Sequence, residues 1–116
     1  MRKVLTFAAV FEAVTGLALL IVPSLVGRLL LGAELTDAMP VARVAGIALV
    51  ALGVCCWPGS TVLGGMLTYS AGVTVYLAYI GFSGNWVGKL LWPAVVIHAL
   101  LTALLARAWF QSRSPN

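Results

Sequence analysis

Four long apolar stretches, each ended by proline, glycine or a short polar turn, constrain this chain more than any other feature. They run from about Val4 to Val22, Asp37 to Trp57, Ser60 to Phe82 and Trp86 to Phe110. A helix needs about 20 mostly apolar residues to cross a bilayer, and each stretch has that length. Pro23 stops the first, Pro58-Gly59 the second, and Ser83-Gly84-Asn85 makes a turn after the third. Asp37 is placed to cap the second helix, with Pro40 tolerated in its first turn. Pro93 lies inside the fourth stretch, where it predicts a kink. The expected fold is all-α, an integral membrane four-helix bundle forming one domain. The short loops after the second and third helices require antiparallel neighbours. Ser24 to Leu31 is apolar apart from Gly27 and Arg28, but too short to span. It predicts a short interfacial or re-entrant segment ending at Gly32.

Composition excludes the alternatives. Of 116 residues, 62% are hydrophobic and 9% charged, whereas soluble domains are about half apolar and about a quarter charged. A small soluble domain leaves too much surface exposed to hide so many apolar side chains. Disorder requires low hydrophobicity. Seven Lys/Arg against three Asp/Glu give a net charge of +4. The basic residues are scattered, so no nucleic-acid footprint forms.

Orientation follows from the flanking cations. Arg2, Lys3, Arg107 and Arg113 fall on one side, and Arg28, Arg43 and Lys89 on the other. The first helix usually dominates, which predicts cytoplasmic termini. The N-terminus mimics a signal peptide, but Glu12 interrupts its apolar core and no small-x-small site follows. An uncleaved first helix is expected. Trp57, Trp86, Trp92, Trp109 and Phe110 fall near helix ends, as in an interfacial aromatic belt.

Membrane helices associate by close packing of small residues and internal hydrogen bonds. The expected rows are Ala8, Glu12 and Gly16; Arg43, Gly46, Val50 and Gly53; Ser60, Gly64, Thr68 and Gly72; and Ala94, His98, Thr102 and Ala106. Glu12, Arg43 and His98 therefore sit on small-residue faces. An ionisable residue within a span is costly and is a functional candidate by default. Counting about 1.5 Å per residue, Glu12 and His98 lie roughly 15 and 18 Å below the outer helix ends, with Tyr69 at roughly 20 Å. Glu12, His98 and Tyr69 are thus expected to meet near the midplane as a ligand or proton site. Arg43, only about 9 Å deep, is placed to snorkel at the outer mouth with Tyr76. The same residues also fit a hydrogen-bonded cluster that fixes helix register.

Other chemistry is sparse. A single histidine supplies one ligand, so a haem would need a symmetric dimer or a partner chain. Cys55 and Cys56 are candidates for a soft metal, although adjacent helical residues point about 100° apart. Hydroxyls on the third helix bond by default to carbonyls within the helix. No phosphate loop, HExxH, GxSxG or CxxC motif is present.

Arg43 to Gly53, with Phe11-Glu12 and Gly16 before Pro23, resembles small bacterial four-helix membrane proteins of the DoxX-like kind. That resemblance implies a bacterial inner-membrane location. In part of the group it implies an accessory role beside quinone-linked oxidoreductases or in redox homeostasis. Cys55-Cys56 and Gly81 to Gly88 are locally similar to pieces of mercuric transport proteins. There, however, the cysteine pair lies in the first helix and close to such a loop. Three function classes follow. The first is a non-enzymatic membrane component binding a small hydrophobic ligand or a partner subunit, as a homo-oligomer or within a complex. The second is a small proton-coupled transporter or channel titrating at Glu12. The third is an accessory chain of a quinone-linked oxidoreductase.

Overall fold

The computed structural model describes residues 2–84 and 87–112, with the side chain of Arg2 excepted. Asn85, Trp86, Arg113 and the last three residues, for which a turn, a helix start, a belt tryptophan and a cytoplasmic cation were expected, lie outside the described residues. The described residues are helical or irregular, with no strand among them. Four helices are long and apolar enough to cross a membrane. They fall into two compact units, one ending at Thr61 and one beginning at Val62.

The first unit contains α1 (Arg2–Ile21), a short α2 (Pro23–Val26) and α3 (Met39–Cys56). Its seam is made of backbone. A Cβ on Gly16 would stand 2.6 Å from the Gly46 carbonyl oxygen, and a Cβ on Gly46 would stand 2.6 Å from that of Gly16. At Gly53 the same atom would meet the Ala9 carbonyl at 2.9 Å. These contacts pair low numbers on α1 with high numbers on α3, so the helices are antiparallel. The expected α3 row of Gly46, Val50 and Gly53 lies on this seam. On α1 the seam is Ala9, Ala13 and Gly16: of the expected row of Ala8, Glu12 and Gly16, Gly16 lies on it, and Ala9 and Ala13 stand where Ala8 and Glu12 were expected. Residues 9, 13, 16 and 20 repeat at helical spacing, which leaves Glu12 on the shoulder.

The connection between α1 and α3 is built, not slack. Pro23 occupies the first turn of α2 and is buried, where its missing N–H costs no helical bond. The helix then widens into a π turn over Gly27–Leu31 and stops at Gly32, whose φ of 65° is left-handed. Leu35 packs on the bare backbone of Gly27. Asp37 lies in a 3-10 turn (Thr36–Ala38), and α3 starts at Met39 without a side-chain cap bond, so the expected Asp37 cap does not form. Pro40 falls in the first turn of α3, as expected.

The second unit is a hairpin of α4 (Val62–Ser83) and α5 (Leu91–Ser112). Phe82 and Trp92 meet edge to face at 5.1 Å, and Trp92 lies over Gly81 where a Cβ would come within 2.7 Å. Trp92 therefore fastens the mouth of the hairpin. Because α5 starts at Leu91, and not near Trp86, Pro93 falls in its first turn. That position tolerates proline, so the expected mid-helix kink has no cause. The buried positions on α4 are Gly65, Ser70, Val73 and Ile80, displaced from the expected Ser60–Gly72 row.

Few side chains are buried, and they are small or medium: Ala9, Ile47, Ala51, Val73, Ile80 and Val95. Phe7, Val75, Leu90, Leu104 and Phe110 are exposed. The Gly46→Ala variant is expected to lose about 1–3 kcal/mol of stability, the range for overpacking, because its neighbour is a carbonyl that cannot rotate away. Gly88, with nothing within 4 Å of its would-be Cβ, should accept alanine within about 0.5 kcal/mol. Denaturant titration in micelles checks both, and equal stability would contradict the close seam.

Candidate functional site

The five candidate residues are distributed over both units. Glu12 and Arg43 belong to the first, and Tyr69, Tyr76 and His98 to the second. All five are half-buried.

Glu12 sits on the shoulder of α1 beside Ala13. The Gly16–Gly46 contact sets it level with Val50 on α3, so Arg43 lies about 10 Å further along that helix. Glu12 and Arg43 form no ion pair, and the ion pair found among the described residues is Arg28–Glu34 at 4.0 Å. Arg43 lies one turn before Gly46, and its Nε is buried without a hydrogen-bond partner among the described residues. Cys55 and Cys56, near the end of α3, are free thiols of intermediate exposure. No group of three or more His, Cys, Asp or Glu suited to a metal ion occurs among the described residues.

The second unit brings Tyr69 and His98 together. Their rings meet edge to face with centroids 6.3 Å apart. His98 Nδ1 lies 2.8 Å from the Ala94 carbonyl oxygen, one turn back along α5. A carbonyl only accepts, so Nδ1 carries the proton. In the neutral ring the Nε2 lone pair is then left to receive a donor. Below His98, Thr102 donates to the His98 carbonyl at 2.7 Å and lies 3.4 Å from the Thr74 hydroxyl. Thr74 in turn donates to the Ser70 carbonyl, and Thr68 to that of Gly64. These threonine hydroxyls satisfy themselves within their helices, as expected. No hydrogen bond or ring contact joins Tyr76 to His98 among the described residues.

Ser70, one of the third-stretch hydroxyls expected to bond within the helix, is not among the five candidates. It is 0% exposed, and its hydroxyl has no partner among the described residues. An unpaired buried hydroxyl costs about 1–3 kcal/mol. The signal was its position beside Tyr69 and one turn before Thr74. A second feature escaped notice for lack of polar residues. An apolar groove of about 300 Å³ runs along the first unit, lined among others by Val10, Val14, Leu17, Val54 and Trp57. Its walls repeat at helical spacing on α1 and α3.

No family model, no curated protein and no solved structure matches the chain. The reading of function therefore rests on this chemistry. Nitrogen NMR on the protein in bilayers is expected to find the His98 proton on Nδ1. A ring protonated only on Nε2 would contradict the Ala94 bond.

Proposed function

We propose that this is a multi-pass protein of a bacterial inner membrane, with both termini cytoplasmic and its helices associated as a bundle. In this reading it is a non-enzymatic component that binds a small hydrophobic ligand, alone as a homo-oligomer or as an accessory subunit of a membrane complex. The observation that carries the reading is the Tyr69–His98 pair, with its ring nitrogen fixed by Ala94 and the buried Ser70 hydroxyl on the adjoining face of α4. Such an arrangement suits an apolar molecule that carries one hydroxyl or N–H. The ligand's donor would go to Nε2. A phenolic or quinol hydroxyl has the required polarity, which agrees with what the DoxX-like resemblance implies. A haem fits less well, because His98 is the chain's one imidazole and a second axial ligand would have to come from another chain.

A second reading, a proton-coupled transporter or channel, is favoured by one feature. Glu12 is a half-buried carboxylate on an apolar helix, without an ion pair among the described residues. Intramembrane acids of this kind serve as proton relays.

Gentle native purification, followed by mass spectrometry of bound small molecules and proteins, tests the first reading. The wild-type protein should retain a hydrophobic hydroxyl- or N–H-bearing compound. The His98→Ala variant, still helical, should retain about tenfold less, the equivalent of one lost hydrogen bond of about 1.4 kcal/mol. Equal retention would remove His98 from the site. Should Glu12→Gln abolish ion or solute flux in vesicles while the helices persist, the transporter reading replaces the component reading.

A further inference from the structure

Between α1 and α3 the chain displays three consecutive leucines on a fastened scaffold. Leu29, Leu30 and Leu31 are 76%, 73% and 72% exposed, and Leu25, one turn earlier, is exposed as well. The other face of the same segment is held in place. Pro23 and Gly27 are buried, Leu35 covers Gly27, and the Ser24 hydroxyl lies 3.6 Å from the Met39 sulfur. Backbone bonds from Gly32 and Ala33 to the Arg28 and Gly27 carbonyls close the turn. The leucines are thus presented by a built element.

We infer that the Pro23–Leu31 segment is a shallow wedge whose leucines enter the acyl-chain layer of one membrane leaflet. The inference rests on the reading of the chain as a multi-pass membrane protein. Three observations select a lipid surface as the partner. First, α1 and α3 are antiparallel, so the end of α1 and the start of α3 emerge at the same bilayer face, and the segment joining them lies at that face. Second, successive side chains point about 100° apart on an α-helix, and somewhat less on the wider π turn. Three in a row sweep about half the circumference. A rigid protein surface covers one side of such a turn, whereas fluid acyl chains close around all of it. Third, the polar residues sit where headgroups would be. Arg28 and Glu34 are exposed at the two ends of the leucine run and only 4.0 Å apart at their nearest polar atoms.

The charge of this region also sets the mode of binding. From Val22 to Ala38 it carries Arg28 against Glu34 and Asp37, so its net charge is 1 − 2 = −1. Attraction to anionic headgroups is therefore not what holds the wedge. Burial of leucine in the outer acyl region holds it, to a depth of about 5–10 Å, as for interfacial helices.

Spin-label depth measurement on the full-length chain in phosphatidylcholine vesicles tests this. In a Cys55→Ser, Cys56→Ser background, labels are placed by Leu30→Cys and, as a reference on α4, by Val75→Cys, a position 71% exposed. The Leu30 label should be reached by oxygen more than by a water-soluble nickel complex, at a depth well short of the Val75 label. Adding phosphatidylglycerol should leave that depth unchanged. Four results would overturn the wedge while the Val75 label stays in lipid. These are a Leu30 label open to nickel, one shielded from both reagents, one as deep as Val75, or one that enters only anionic vesicles. The second of these indicates a protein cover, and the third a re-entrant segment. If the Val75 label is itself open to nickel, the membrane reading fails and takes the wedge with it.

Discussion

The contact between Gly16 and Gly46 sets the first unit. Two helices come so close there that each backbone carbonyl occupies the space where the other residue's side chain would begin. This is how helices associate when water no longer drives leucines together. The gain comes from many short contacts along a smooth seam, so the seam needs residues with almost no side chain. Ala9, Ala13 and Gly53 extend it toward the other end of the pair. The large apolar side chains are thereby released to the outer surface. Phe7, Val10 and Val14 on α1 and Val41 and Leu52 on α3 are exposed in keeping with this.

Much of this plan is legible in the amino-acid order. The four apolar stretches appear as four long helices, because length and composition alone decide which segments can keep every backbone group bonded internally. Gly46, Val50 and Gly53 could be placed on one face because helical spacing puts them there. The failures are local and have causes. Asp37 has the chemistry of a cap, but a 3-10 turn intervenes and α3 begins two residues later. Pro93 looked interior only while the fourth helix was drawn from Trp86. A start at Leu91 puts it in the first turn, where proline is harmless. On α1 Gly16 lies on the seam as expected, but Ala9 and Ala13 take the places of Ala8 and Glu12, because periodicity cannot choose between adjacent alanines.

The candidate site was legible in parts. His98 and Tyr69 were expected to be neighbours, and their rings meet. The fixed ring nitrogen of His98 is a matter of rotamer, which spacing does not encode. Ser70 is one of eight hydroxyl-bearing residues between Ser60 and Phe82, and only burial distinguishes it. Glu12 stood out from the start, as a carboxylate amid apolar residues must. Its position on the shoulder of the seam is level with Val50 and about 10 Å along the helix axis from Arg43, too far for an ion pair between them. The proposed ligand site thus depends on imidazole and hydroxyl groups in one unit. The carboxylate and guanidinium belong to the other.

The central claim is that acyl chains surround the large apolar side chains while Glu12 and His98, each half-buried in its own unit, are kept from them. Solid-state NMR with magnetisation transferred selectively from lipid acyl chains or from water measures this residue by residue in bilayers. The account predicts rapid transfer from acyl chains to Phe7, Val75 and Leu100, and little or none to the His98 ring or the Glu12 carboxylate. Direct acyl-chain transfer to His98 and Glu12, or transfer from water to the outward phenylalanine and leucine side chains, would contradict it.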